Sequence, residues 1–372
     1  MKLNRLELDF FRNYAHVEAT FHPRVNLIYG DNAQGKTNLL EAIAYLSSAR
    51  SHRVRYDREL IMLNEPQGYI KGEVDSRERT FILEAKLCRG KTRQLWSNGL
   101  RLKTAGELAG ILTTVLFCPE DLYLIREGAA ARRRFLDGAI CQLRPRYAQA
   151  LAEYNRLYEH KTRILRDWQE NPSLLDTLDD FNLRMAQFGA RIIHYRAHFV
   201  RRLGEQAPAI HADFSGGREQ LGLRYETVST VQDPLGSVQD IFESLMRHQE
   251  SHRRAELDSR QCLSGPHKDD LVVELDGQSA KQFGSQGQTR TAALSLKLAQ
   301  REIFQQETGE WPVLLLDDVL SELDGKRQSF VLNRIQGGQV FITCCEPEKL
   351  DGLERGKSFQ IQGGSVLSQR LV

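Results

Sequence analysis

The stretch Gly30-Asp31-Asn32-Ala33-Gln34-Gly35-Lys36-Thr37 has the form G-x-x-x-x-G-K-T. The apolar-rich run Val25–Tyr29 precedes it, and Asn38–Leu46 follows with helical spacing. Strand, glycine-bearing loop and helix, in that order, form the setting in which this pattern holds a polyphosphate. Glycine lets the backbone bend until its N–H groups face the hollow of the loop, and the helix N-terminus adds its positive dipole end. Lys36 is then placed to reach the β- and γ-phosphates, and the Thr37 hydroxyl to ligate Mg2+. The plain alternative is a Gly-rich turn ahead of an ordinary helix. Lys-Thr in register and both flanks weigh against it, so binding of ATP or GTP is the expectation.

Composition bounds the rest. At 372 residues the chain is long enough for two domains and an ample core. Its 41% hydrophobic and 27% charged content reads as soluble and globular. No apolar run approaches the length that spans a bilayer and Met1–Phe10 is charged throughout, so a cytoplasmic protein without a membrane partner is expected. Cys88, Cys118, Cys141, Cys262, Cys344 and Cys345 show no C-x-x-C spacing and read as reduced thiols without a metal role. With a net charge of +2, any nucleic-acid contact must come from local patches.

Along the chain, Leu6, Leu8 and Phe10 alternate with charged residues as a half-buried strand, and Val17–Phe21 makes a second. Leu39, Leu40, Ile43 and Leu46 give the helix after the loop an apolar face. The basic run Arg50–Arg55, with Arg58, is expected at the far end of that helix, away from the phosphates, as a solvated face or a DNA-backbone contact. Tyr69–Val74, Thr80–Leu87, Arg93–Trp96 and Leu100–Lys103 read as antiparallel strands, and Thr113–Cys118 as another. From Arg132 to Leu203 apolar stripes at helical spacing, broken at Asn171-Pro172, predict a helical insert. Phe214–Gly236 reads as loop-rich, and helical character returns at Val238–Ala255.

Cys262–Asp270 is a loop crowded with polar groups ahead of the strand Leu271–Leu275; His267 there is more simply an ordinary loop histidine than a ligand. Phe283-Gly-Ser-Gln-Gly-Gln-Thr-Arg290 again puts small residues before a helix, but no lysine follows the second glycine, a second phosphate-binding end without its own lysine. Val313–Leu316 is wholly apolar, the mark of a parallel strand buried on both faces, and ends in Asp317-Asp318. An acidic residue there suits Mg2+ coordination and polarisation of water. Val340–Thr343 repeats the buried pattern and ends at Cys344-Cys345-Glu346; the tail beyond shows no distinguishing pattern.

The loop and the acidic strand are separated by the whole helical insert, whereas in kinases and GTPases they share one compact domain. This split head resembles the ABC ATPase class, in its SMC-like DNA-repair branch. Phe11-Arg12-Asn13-Tyr14, the loop with Asn38–Ile43, Arg50–Arg53, Phe117–Leu122, Arg132–Asp137, Gly265–Asp270 and Leu316–Asp324 all resemble the RecF family. The fold so implied is α/β: an ABC-type P-loop ATPase head with mixed parallel and antiparallel sheets plus an inserted helical domain. Residues 1–120 would be the first part of the head, 121–260 the helical insert (lobe II), and 261–372 the second part.

The resemblance further implies a weak, DNA-stimulated ATPase of recombinational repair and replication-fork maintenance, using ATP and Mg2+. It would dimerise on ATP, clamp double-stranded, gapped or junction DNA, and act with RecR and RecO to load RecA. Gly30, Asp31, Asn32, Ala33, Gln34, Gly35, Lys36 and Thr37 would bind ATP, with Arg12 nearby. Asp317 would match the Walker B aspartate and Asp318 the catalytic acidic position, acting as base. Ser285, Gln286, Gly287 and Gln288 would match the signature motif acting on the partner's nucleotide, and Ser321, Glu322, Leu323 and Asp324 the D-loop. Arg50, Arg53, Arg55, Arg132 and Arg133 are candidate DNA contacts. Four departures stand out: Asp318 replaces the usual Glu, Cys344 stands where a switch histidine is usual, no glutamine marks the Q-loop region near Pro119-Glu120-Asp121, and Ala33 stands where the loop more often has Gly. The rival readings fit less well. The insert does not resemble a transporter's coupling surface, and it lacks the sustained heptads of a tether.

Overall fold

Leu6 and Leu8 are fully buried while Arg5 is exposed and Glu7 half-buried, so β1 (Lys2–Phe11) is a strand with one core face. Phe10, expected on that face, is exposed at φ +49°, and Phe11 is buried instead. The computed structural model of the chain describes residues 1–335, 337–345 and 356–371. These fall into two compact units, Met1–Tyr123 with Leu296–Val372, and Leu124–Ser295.

In the first unit β1 is followed by β2 (Tyr14–Thr20), β3 (Val25–Tyr29), α1 (Lys36–Ser48), β4 (Gln67–Ser76), β5 (Arg79–Cys88), β6 (Gln94–Ser97), β7 (Leu100–Arg101) and β8 (Thr114–Phe117). An antiparallel sheet runs in the order β2-β1-β4-β5-β6-β7. Leu39, Leu40 and Ile43 of α1 share one core with Leu6 and Ile70 of that sheet and with Ile28, Leu315 and Phe341 of a second. Each such side chain contributes roughly 1.5–3 kcal/mol by leaving water, so the phosphate-loop helix is fixed from both sides.

The second unit holds α2 (Ala129–Leu143), α3 (Pro145–Asp167), α4 (Leu178–Ser215), β9 (Leu221–Glu226), α5 (Val238–Ser259), β10 (Asp270–Leu275), β11 (Gln278–Ser279) and α6 (Ala280–Phe283). Then α7 (Gln286–Thr308) carries the chain back into the first unit. Tyr147, Ala150, Tyr154 and Leu157 are buried as their spacing requires. The loop-rich reading of Phe214–Gly236 needs correction. Leu221–Glu226 is a strand whose hydrogen bonds come from β10, a partner that local sequence does not announce.

Buried charge organises this unit. The Arg196 guanidinium, 4% exposed, binds both oxygens of Asp137, the carbonyl of Pro266 (2.7 Å) and Asp269 (3.0 Å). Asp269 also accepts a hydrogen bond from Tyr225, yet complete burial pushes its carboxyl up to about 6. The Gly265–Asp270 loop is thus anchored to α2 and α4.

Back in the first unit come β12 (Val313–Asp317), α8 (Gly325–Arg334), β13 (Val340–Cys344), β14 (Gly356–Gln362) and β15 (Ser365–Leu371). They complete a sheet in the order β15-β14-β3-β13-β12-β8, parallel except for the edge strand β15. All five residues of β12 are buried, as its apolar run requires. The tail is not patternless. It forms a β-hairpin whose first strand pairs with β3, the strand that feeds the phosphate loop. Glu346, read as closing the late strand, lies outside the described residues.

Candidate nucleotide site

In the parallel sheet Tyr29 pairs with Cys344 and Asp317 with Thr343, so the carboxyl ends of β3, β13 and β12 reach one edge together. That edge is where open α/β sheets bind ligands. Gly30 has φ +146° and a Cβ there would stand 2.3 Å from the carbonyl oxygen of Ile361, so no other residue fits. Ala33 takes φ +63°, accepting the left-handed conformation at some cost in strain. Lys36 Nζ donates to the carbonyls of Gly30 (2.5 Å) and Asp31 (2.9 Å), with Cys345 Sγ at 3.7 Å.

Thr37 Oγ1 donates to Asp317 Oδ1 (2.9 Å), and Thr343 Oγ1 donates to the same oxygen (2.9 Å). Asp317 is 5% exposed; burial raises its pKa, opposed by those two hydrogen bonds. Thr343 also accepts from the Asp318 N–H (2.8 Å) and so ties both acidic positions to β13. Asp318 stands at φ +51°, and its carboxylate accepts from Ser321 Oγ (3.0 Å). Thr343 was missed in the sequence, because only strand register brings it beside Asp317.

A hydroxyl and a buried carboxylate within hydrogen-bond reach, the carboxylate's close partners being two hydroxyls, form a hard-oxygen pair that fits Mg2+. Thr37 and Asp317 would hold such an ion.

Beside the loop lies a cleft of about 570 Å³ lined by Arg12, Asn13, Asn38, Arg53, Arg58 and Arg89. Arg12, at φ +56°, binds both carboxylate oxygens of Glu41 (2.8 and 2.9 Å). Glu41 is fully buried on α1 and also accepts from Ser51 (2.5 Å). Burial raises its pKa, but the hydrogen bonds from Arg12 and Ser51 outweigh that and hold it below the ordinary range. Arg53 donates to Asn38 Oδ1 (2.8 Å), in the first turn of α1. The basic run therefore does not lie away from the loop as expected; its chain folds back along α1 until Arg53 reaches the loop end.

Among the other expected sites, Ser285 caps α7. Its Oγ accepts from the Gln288 N–H (3.2 Å), and Gln288 Oε1 accepts from the Ser285 N–H (2.8 Å), a capping box. Ser285 and Gln286 are exposed, and Gly287 lies in the first turn. In the D-loop stretch Leu323 is buried and Asp324 caps α8 through the Arg327 N–H (3.0 Å); the side chain of Glu322 lies outside the described residues. Arg50 and Arg55 are exposed, with Arg55 over the Tyr56 ring. Arg132 is corrected: it is buried and forms a two-point ion pair with Asp270 (2.7 and 2.8 Å), so it has no face for DNA. Half-buried Arg133 is spent on the Asp269 carbonyl (2.6 Å).

Fold and loop together define an SMC-like ABC ATPase head. The family model described as RecF/RecN/SMC N terminal domain matches residues 2–363. The DNA replication and repair protein RecF of Acetivibrio thermocellus is 40% identical over 362 residues, covering 97% of this chain and 98% of that protein. Its counterpart in Agathobacter rectalis is 40% identical over 347 residues, 92% of each chain. A solved recombination mediator protein RecF-ATP of the RecFOR pathway superposes with TM-score 0.89 at 35% identity, covering 100% of this chain and 97% of that one. An Smc head domain from Pyrococcus furiosus shares the fold, with TM-score 0.54 at 16% identity over 100% of this chain and 96% of that one. The chain belongs to the RecF family of DNA replication and repair proteins, SMC-like ABC ATPases. Among the described residues no helix is long and apolar enough to cross a membrane.

Proposed function

We propose that the protein is an ATP-gated DNA clamp of recombinational repair: two copies close on DNA around two ATP molecules, and slow hydrolysis reopens them. The observation that carries this reading is Thr37 within 2.9 Å of Asp317 at the end of a strand–loop–helix phosphate site. Residues 30–37 bind the phosphates, Lys36 the β and γ groups, and Arg12 with Arg53 flanks the nucleotide from the cleft. Mg2+, held by Thr37 and through water by Asp317, would offset the phosphate charge. Asp318 orients and deprotonates the attacking water. Its shorter arm, relative to Glu, favours slow turnover that times a DNA-bound state.

In this reading the exposed Ser285–Gln288 helix start acts on the nucleotide held by a second copy, with Ser321–Asp324 at the same interface. The functional head then comprises residues 1–120 and 261–372 around the 121–260 insert. Arg50 and Arg55 contact the DNA backbone. Gapped or junction DNA is the target, stimulating the ATPase, and RecR with RecO the partners through which RecA is loaded in the cytoplasm, at the nucleoid.

Composite sites make a sharp test. Lys36→Met and Ser285→Arg chains should each be inactive alone, whereas a mixed dimer would keep one intact site. Mixing should restore part of the phosphate release; folded variants that show no recovery would rule out sites shared between copies.

A further inference from the structure

The hairpin of β14 and β15 turns at Gly363-Gly364, and that turn hydrogen-bonds the phosphate loop. The carbonyl oxygen of Gln34 accepts from the Gly364 N–H (3.0 Å) and from Asn13 Nδ2 (2.9 Å). Gln34 Oε1 accepts from the Gly363 N–H (2.7 Å). Both ends of Gln34 are therefore held from outside the loop, chiefly by a segment more than three hundred residues away.

A trans peptide is planar, with its C=O and the following N–H pointing in opposite directions. Two donors that pull the Gln34 carbonyl outward therefore turn the Gly35 N–H toward the concave side. The next peptide is oriented chiefly by the helix: the Gly35 carbonyl accepts from the Leu39 N–H (3.1 Å) that opens α1, and the Tyr14 hydroxyl (2.9 Å) supports that orientation. Phosphate loops work by pointing successive N–H groups at one anion, and the aim of the Gly35 N–H is set by groups outside the loop.

The two glycines of the turn differ in a way that separates contact from mere flexibility. A Cβ at Gly364 (φ +75°) would stand 2.1 Å from the Asn13 carbonyl oxygen, so only glycine lets the turn close on the loop. A Cβ at Gly363 (φ +57°) would meet nothing within 4 Å. Parallel pairing of β14 with β3, Gln360 opposite Tyr29, brings the turn to the sheet edge where the loop begins.

We propose that the Gly363-Gly364 turn is a positioning element of the nucleotide site, which with Asn13 fixes the Gln34–Gly35 peptide so that its N–H meets the β-phosphate. The proposal rests on the phosphate-loop reading above. Because ATP and ADP share that phosphate, the turn serves both nucleotides equally, and it acts on binding and not on the chemical step.

The test titrates full-length wild type, Gly364→Ala, Gly363→Ala and Gln34→Ala with fluorescent N-methylanthraniloyl ATP and ADP, with folding followed by circular dichroism. Gly364→Ala should weaken both nucleotides about tenfold, or about 1.4 kcal/mol, with KM raised and kcat unchanged. Gly363→Ala carries the same left-handed strain (φ +57°) but no clash, so it should weaken both nucleotides clearly less than Gly364→Ala. Should Gly364→Ala fail to fold, Gln34→Ala, which removes the Gly363 acceptor without adding an atom, carries the test and should weaken both nucleotides several-fold. Folded Gly364→Ala or, in its place, Gln34→Ala with wild-type affinity overturns the proposal, as does a loss seen in kcat alone. Wild type that binds neither nucleotide would instead overturn the phosphate-loop reading itself.

Discussion

Thr37 Oγ1 and Asp317 Oδ1 lie 2.9 Å apart although 280 residues separate them in the chain. If both serve one Mg2+, removing either should remove most of what the pair contributes. Thr37→Ala and Asp317→Asn are each expected to lower turnover by at least about a hundredfold, the double variant little further, because residues that act as a unit are not additive. Steady-state phosphate release over a Mg2+ titration measures this. Losses that multiply in the double variant would show that the two act independently.

Glu41 positions Arg12 without reaching the cleft itself. Glu41→Ala leaves the Arg12 and Ser51 groups without their carboxylate, so the Arg12 guanidinium keeps its bond to the Glu59 carbonyl (3.0 Å) but is held less firmly. KM for ATP is expected to rise about tenfold or more while kcat changes little, the pattern of lost binding that is equal in ground and transition states. An unchanged KM in a folded variant would separate Arg12 from the nucleotide.

Arg301 is buried in the first unit, its guanidinium stacked 4.1 Å from the centre of the Trp311 ring. It donates to the carbonyls of Arg334 and Ile335 (3.3 Å each) and of Gly337, closing the C-terminal end of α8. Burial lowers its pKa to about 10. Arg301→Ala leaves a cavity and unsatisfied carbonyls, an expected loss of about 3 kcal/mol. Urea unfolding followed by tryptophan fluorescence reads it. Arg301→Lys should recover only part, since an ammonium cannot both stack and fork.

His267 gives a pH signature of defined sign. Its Nε2 faces the Cys262 carbonyl (3.0 Å) and its Nδ1 the Tyr154 hydroxyl (2.7 Å), so the neutral ring with a proton on Nε2 satisfies both. Burial first, then Lys268, Lys161 and Arg133, lower its pKa from 6.5 to about 4. Between those values the unfolded chain binds the extra proton, so this contribution is complete above pH 6.5 and is lost as pH falls toward 4. Asp269, raised to about 6, acts with opposite sign over much of that range, so the wild-type curve alone would hide the effect. The difference between wild type and His267→Gln isolates it and should shrink as pH falls across that window. A constant difference would show that His267 is already charged in the fold.

How much of this was legible in advance depended on whether the cause was local. The phosphate loop announces itself because glycine, lysine and threonine must stand at fixed spacing, and β12 because a strand buried on both faces admits only apolar residues. By contrast β9 alternates too briefly to stand out, and Arg132 looks like a surface arginine until Asp270 is placed beside it. The tail hairpin escaped for the same reason: its role comes from pairing with β3, not from its composition.

The sequence by itself determined that a phosphate loop, a buried acidic strand and a glycine-rich helix start exist, since each is a local arrangement of backbone freedom and polarity. Only the tertiary structure decided which groups meet. Parallel register set Thr343 beside Asp317, the fold-back of the basic run set Arg53 against Asn38, and the hairpin set Gly364 against Gln34. Their separations differ widely: 15 residues between Arg53 and Asn38, 26 between Thr343 and Asp317, and more than three hundred between the hairpin and the loop. All three depend on chain reversal, buried apolar faces and strand pairing, which local pattern does not specify.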